Sequence, residues 1–212
     1  MSDQESAGFE LIRSDKRTVP MSVTKLIGDL KNMKLYRLKP SDFHKCYSIK
    51  DVDYEFAEAF WSVDELKTNW DKSELKKVGG GKNAKVLFCF DPEGILIEEE
   101  MLPIFQKQLE NENVEFLPLS DGKKTWYILH CCELADVKHK TDFVRGQLDK
   151  YYLDKDEFVN GNYDDKNVFK LLGRGVKEII EEELYTEKMI DFINSFENAG
   201  ICFEETGGVI EE

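Results

Sequence analysis

The sequence predicts an α+β protein, built as a mainly antiparallel sheet with a few packed helices. Three observations carry that prediction. Apolar runs such as VLFCF and WYIL have strand length and are bounded by turn signals. Two segments place apolar residues at helical spacing, and a strand-like run follows each. The chain has 212 residues and is 41% hydrophobic, enough to bury a sizeable core.

The elements follow in order. Residues 1–32 are polar, contain Pro20 and read as a partly flexible N-terminal extension. Within them VTKLIGDL predicts a short helix weakened by Gly28. MKLYRL, Met33 to Leu38, alternates as a strand that Pro40 stops. DVDYEFAEAFW, Asp51 to Trp61, is dense in acids and aromatics and has no clear period. Ser62 followed by Glu65 has capping-box spacing and predicts a short helix over SVDELKTNW. KKVGGGKNAK reads as a loop, KVLFCF as a buried strand and DPEG as a turn.

Glu98, Glu99 and Glu100 then open a helix, where carboxylates favour the positive dipole end. Leu102, Phe105 and Leu109 share its apolar face, and Pro103 sits in its first turn. VEFLPL leaves as a strand, and Asp121-Gly122 in SDGKK turns it into the hairpin strand TWYILHCC. Near the end, Thr186 is placed as a helix N-cap. Met189, Ile193 and Phe196 line one face of that helix, with Phe192 beside them. Gly200 fits a helix C′ position, ICFEE is the final strand, and residues 206–212 read as an acidic tail.

The two helix-then-strand segments match without gaps at an offset of 87 residues, from Leu102 to Met189. At that offset Phe105 meets Phe192, Leu109 meets Phe196, Val114 meets Ile201 and Phe116 meets Phe203. A duplicated helix-strand unit is one explanation; the same local solution reached twice is the other.

Charge and cysteine usage narrow the function. The formal net charge of −14 disfavours nucleic acid, whose phosphates would be repelled, and favours a basic partner. No run approaches the ~18 apolar residues of a membrane span, and the N-terminus has no apolar signal core. A cytoplasmic protein with no membrane partner is expected. Five irregularly spaced cysteines predict no disulfide framework and agree with a reducing compartment.

The stretch Phe116 to Lys140 holds the main chemical ambiguity. Alternation puts Trp126, Ile128, His130 and Cys132 on one strand face, and Tyr127, Leu129 and Cys131 on the other. His130 and Cys132 could face one ion, with His139 as a third ligand. The paired short spacings of structural zinc are missing, however, so packing cysteines and no metal are expected. No third group orients a Cys–His nucleophile. GGGK, Gly79 to Lys82, lacks phosphate-loop spacing. GRG reads as a turn, and the acids of EIIEEEL, Glu178 to Leu184, as a solvated face.

Aromatics among carboxylates suit an interface with a basic protein. Two segments have this character. The first supplies Asp149, Tyr151, Tyr152, Asp154, Asp156, Phe158 and Tyr163 as candidates. The second supplies Asp51, Asp53 and Tyr54. The competing reading is that these aromatics are core residues of strands.

FLPLSDGKKTWYILHCCELADVKH resembles one family of immunity proteins from bacterial polymorphic toxin systems, formerly catalogued as a domain of unknown function. The family's hallmark is a strand, a short turn and an aromatic-rich strand of the kind Y-Y-x-L-N-V-x-N-V-x-D. Trp126, Tyr127 and Leu129 match its aromatic and leucine positions, and Asp136 its late aspartate. Cys131 and Cys132 stand at apolar positions, while His130 and Glu133 replace its two asparagines. MKLYRL, the Ile95–Leu119 block, NVFKLLG and the closing helix and strand are similar too, so the resemblance covers about residues 33–205. It implies a non-enzymatic protein without cofactor that binds a cognate toxin and occludes its active site. The charge adds that the toxin is basic, such as a nuclease. The alternative is a small-molecule-binding protein or enzyme with a pocket near His130. A third reading is a scaffold whose duplicated unit presents two binding faces. The sequence sets no oligomeric state.

Overall fold

Strands dominate because the apolar runs are short and buried on both sides. The computed structural model describes residues 34–71, 74–144, 147–173 and 180–210. The helix expected over VTKLIGDL lies outside them, as does most of GRG. In chain order the elements are β1 (Lys34–Pro40), β2 (Cys46–Ile49), α1 (Tyr54–Trp61), β3 (Leu75–Gly79), β4 (Val86–Phe90) and β5 (Glu93–Glu98). Next come α2 (Leu102–Gln108), β6 (Val114–Ser120), β7 (Thr125–Cys131), β8 (Leu134–Ala135), β9 (His139–Val144) and β10 (Gln147–Asp154). The chain continues with α3 (Lys155–Asn160), β11 (Val168–Leu172), β12 (Ile180–Thr186), α4 (Glu187–Asn194) and β13 (Ala199–Ile210). The α+β class expected from the sequence is the class observed.

The main sheet runs β6-β7-β5-β4-β13-β1-β12-β11-β8. It contains one arrangement twice. In the first copy β7 inserts between β5 and β6, giving the antiparallel order β4-β5-β7-β6. In the second the antiparallel order is β11-β12-β1-β13. There β1, from the start of the chain, fills the place that β7 fills in the first. The helix-strand repeat seen in the sequence is therefore part of a larger repeated unit. The two copies join where β13 pairs in parallel with β4, Ala199 opposite Val86 and Gly200 opposite Leu87.

Both sheet faces are covered. Val86, Phe88, Ile95, Ile97, Leu129 and Cys131 pack beneath α2 and α4. The helices meet through Phe105, whose ring lies 4.9 Å from Phe192 and 5.9 Å from Phe196. Leu87, Cys89, Leu96, Trp126 and Ile128 face the other way, with Phe60 of α1. This explains VLFCF: a strand buried on both faces reads as a continuous apolar run. A third cluster joins Leu35, Tyr151, Leu153, Phe158, Phe169 and Leu184.

Several local expectations are corrected by tertiary contacts. The unassigned acidic-aromatic stretch forms α1, with the Asp53 carboxylate accepting the Phe56 N–H at 2.8 Å. Ser62 ends this helix instead of starting one; its N–H bonds to Glu58 and Ala59 carbonyls. The Leu66 and Lys67 N–H groups are taken by the Glu115 carboxylate of β6, so only the turn Lys67–Asn69 forms. KKVG, expected in a loop, belongs to strand β3, drawn into the sheet by pairing with β2. Glu99 and Glu100 do open the helical segment, as a 3-10 turn over Glu99–Met101 that runs directly into α2, while Glu98, at the N-cap of that turn, closes β5 and pairs with Lys124. Thr186 stands at the N-cap, yet its hydroxyl donates to the Lys166 carbonyl at 2.7 Å. α4 ends at Ser195, and Gly200 lies in β13. Residues 206–210, expected in a tail, continue β13 against β1 and β10.

Candidate functional site

An exposed aromatic pair stands on α1. Ala57 and Phe60 point inward, and Phe56 packs its ring 5.6 Å from Trp70. The outer face is left with Tyr54, 76% exposed, and Trp61, 52% exposed. They are seven residues apart, two helical turns along one side, with exposed Glu58 between them. Asp51, Asp53 and Glu55 surround the helix start and are also exposed. Two large side chains left in water among carboxylates are the residue types that anchor protein interfaces.

Trp61 also lines a cavity of about 360 Å³ between α1, β1, β11 and β12. Glu93, Glu182, Glu183, Arg37 and Lys170 supply its charges, and Tyr185 contributes to its wall. Burial pushes the Glu182 and Glu183 carboxyls above the usual glutamate range. Glu93 is exposed at the rim but desolvated by the wall behind it, and is raised for the same reason. Arg37 Nε meets Glu182 Oε1 at 2.9 Å and opposes the effect there. The Tyr185 hydroxyl donates to Glu183, and burial holds that phenol well above its ordinary value. Three carboxyls therefore face two cations, which favours entry of a positively charged group.

A second polar cluster lies under the end of α1. Lys170 is 2% exposed and donates to the Ser62 carbonyl at 2.6 Å and the Phe60 carbonyl at 3.0 Å. His130 is fully buried, with Nε2 3.3 Å from the same Ser62 oxygen. Its Nδ1 lies 3.3 Å from Glu115 Oε2 and 3.5 Å from Cys132 Sγ. Burial lowers the His130 pKa, and Lys170 lowers it further. The face-sharing of His130 and Cys132 is as the strand alternation requires. His139 is not part of the group; its Nδ1 lies 3.0 Å from the Val137 carbonyl oxygen. Glu115, on the paired strand β6, takes that place.

The interface candidates divide. Tyr151 is 1% exposed and Phe158 fully buried, so both are core residues and offer a partner nothing. Tyr163 packs against Phe158 and Phe169 and donates to the Leu134 carbonyl at 3.2 Å. The Asp154 carboxylate caps α3 by accepting the Glu157 N–H at 3.0 Å. Asp156 is exposed and Tyr152 half-buried. Asp149 belongs to β10, and its side chain lies outside the described residues. Asp51, Asp53 and Tyr54 stand at the start of α1, where the Asp53 carboxylate caps the helix. Trp61, which sequence reasoning passed over, stands at its end on the side of Tyr54; that seven-residue spacing becomes a signal once α1 is recognised. Glu182 and Glu183 belong to β12 and face the cavity, not a solvated surface as expected. The GGGK loop spends backbone groups on its own fold: the Lys82 N–H bonds to the Phe43 carbonyl at 2.9 Å.

Scans against family models, curated proteins and solved structures each returned no match. Among the described residues no helix is long and apolar enough to cross a membrane.

Proposed function

We propose that this chain is an immunity protein that binds a cognate bacterial toxin and blocks its active site. The observation that carries the reading is the Tyr54–Trp61 pair, exposed among carboxylates beside an acid-lined cavity. The resemblance of residues 33–205 to immunity proteins and the net charge of −14 support it. In this reading the aromatics anchor the toxin, and a lysine or arginine of the toxin enters the cavity toward Glu93 and Glu182. Carboxylates around the ridge steer a basic toxin, such as a nuclease, during encounter. The chain acts by binding, within the cytoplasm, and performs no chemistry of its own.

The test is growth rescue. The toxin encoded beside this gene is expressed with and without the protein, and the pair is copurified. Rescue with a stable complex that Trp61→Ala weakens supports the proposal. Absence of both rescue and complex overturns it. The cavity also favours a second reading, a site for a small cationic molecule close to His130. Calorimetric binding of such a molecule, lost in Glu182→Gln, in a chain that fails to rescue growth would favour that reading.

A further inference from the structure

We infer that Glu115, His130 and Cys132 form a site for one divalent metal ion, zinc by the chemistry of its donors. Their ligand atoms all lie within 4.8 Å of one another. A tetrahedral zinc with bonds of about 2.0 Å to nitrogen and oxygen and about 2.3 Å to sulfur sets the spacing of its donors. The nitrogen–oxygen edge must be about 3.3 Å and the nitrogen–sulfur edge about 3.5 Å by that geometry. The observed separations from Nδ1 are 3.3 Å to Glu115 Oε2 and 3.5 Å to Cys132 Sγ.

Hydrogen-bond accounting points the same way. The Ser62 carbonyl can only accept, so a neutral His130 uses Nε2 to donate to it and presents an unprotonated Nδ1. The Cys132 thiol is a weak donor to that lone pair at 3.5 Å, but the Glu115 carboxylate oxygen also faces it, at 3.3 Å, with no proton between them. The opposite tautomer satisfies Glu115 but sets Nε2 against the Ser62 oxygen. A doubly protonated ring would satisfy both, but it would set a second positive charge beside the Lys170 ammonium, which donates to the same Ser62 oxygen at 2.6 Å. A cation among the three donors removes the conflict. The contact from Nε2–H to a backbone carbonyl is the outer contact that orients a metal-bound histidine.

The surroundings fit such an ion. A carboxylate and a thiolate together bring two negative charges, the complement of a divalent cation; the thiol proton leaves to solvent on binding. Glu115 is held by the Leu66 N–H at 2.7 Å and the Lys67 N–H at 3.1 Å, so it is oriented before any ion arrives. The mixed nitrogen, oxygen and sulfur set suits zinc better than calcium or magnesium, which take oxygen. The ion would pin the connection after α1 onto the β6–β7 hairpin. Such a site departs from the expectation of no metal because the third donor comes from β6, where no spacing in the sequence announces it.

The experiment uses the full chain with Zn²⁺ and Co²⁺ as probes. Protein from zinc-supplemented cells is expected to hold about one zinc per chain. Cys132→Ala and Glu115→Gln, checked for retained near-UV circular dichroism, are expected to lose it. Cobalt in the metal-stripped wild type is expected to give a thiolate charge-transfer band. Cys202→Ala, which removes the exposed thiol, is expected to keep both zinc and band. Far less than one zinc together with no cobalt band overturns the inference. Retention of zinc by Cys132→Ala, or its loss in Cys202→Ala, does so equally. Should Cys132→Ala not fold, the cobalt band and the Cys202→Ala result decide.

Discussion

Gly200 is where the two halves of the sheet are stitched together, and it leaves no room for a side chain. A Cβ there would lie 2.5 Å from Leu87 Cδ2, 2.9 Å from His44 Cβ and 3.1 Å from the Val86 carbonyl oxygen. The leucine methyl can swing away, but the other two contacts need movement of β4 or of the chain before β2. Overpacking of this kind costs about 1–3 kcal/mol. Replacing glycine by alanine returns about 0.4–1 kcal/mol through the unfolded chain. Gly200→Ala is therefore expected to destabilise by about 1–2 kcal/mol. For a domain of this size that is a fall in Tm of about 2–8 °C. Urea unfolding followed by near-UV circular dichroism measures it. Gly200→Asn separates this account from a helix-cap role. A cap position in the left-handed region would tolerate asparagine better than alanine, whereas a crowded seam tolerates alanine better. An alanine variant within about 0.5 kcal/mol of wild type, or asparagine the milder change, would refute the reasoning.

Other expectations follow from the same geometry. On the proposed immunity function, Trp61→Ala and Tyr54→Ala should each weaken binding of the toxin by about 2 kcal/mol, roughly 30-fold, while stability stays within about 0.5 kcal/mol; calorimetry and thermal melts read the two effects. Phe158→Ala should cost about 3–5 kcal/mol in urea unfolding, because its ring is fully buried against Phe169. Glu112→Gln should cost about 1–3 kcal/mol, since Oε1 accepts both the Asn167 N–H and its side-chain amide while Oε2 accepts the Val168 N–H at 3.3 Å, and an amide NH2 in place of either oxygen sets donor against donor. Burial holds the folded-state Glu183 carboxyl above its ordinary value of 4.5, so the folded chain binds more protons than the unfolded chain. That contribution is complete below the unfolded value and is lost as pH rises through the folded one. Glu183→Gln should accordingly flatten the decline in urea midpoint above about pH 4.5, and an unchanged slope would count against the assignment.

Much of the fold was legible in the sequence because its signals are local. VLFCF, VEFLPL and TWYILHCC have strand length and apolar character that no other element accommodates, and Asp121-Gly122 fixes the hairpin between the last two. The face assignment of Trp126, Ile128, His130 and Cys132 needed only the two-residue period of a strand. The places where local reading failed are those where a distant group supplied the partner. Ser62 and Glu65 have capping-box spacing, but Glu115 takes the N–H groups that a new helix would leave unpaired. Thr186 does stand at the N-cap position read from the sequence, and only its hydroxyl departs, donating to the Lys166 carbonyl. Gly200 looked like a helix end, and its requirement is space against Leu87 and His44.

The candidate sites show the same division. Composition alone indicated an acidic protein suited to a basic partner, because net charge is a sum and does not depend on where residues lie. Which aromatics meet that partner depends on the third dimension. Tyr151 and Phe158 carry the same residue chemistry as Tyr54 and Trp61, yet the first pair is core and the second is surface. The offset of 87 residues recorded the repeated helix and strand. Only pairing across the sheet placed β1 in the position of β7, because a strand's neighbours are set by hydrogen bonds between residues far apart in the chain. Glu115 reaches His130 and Cys132 for the same reason: register between β6 and β7 brings the three donors together, and register is a property of the folded pair of strands.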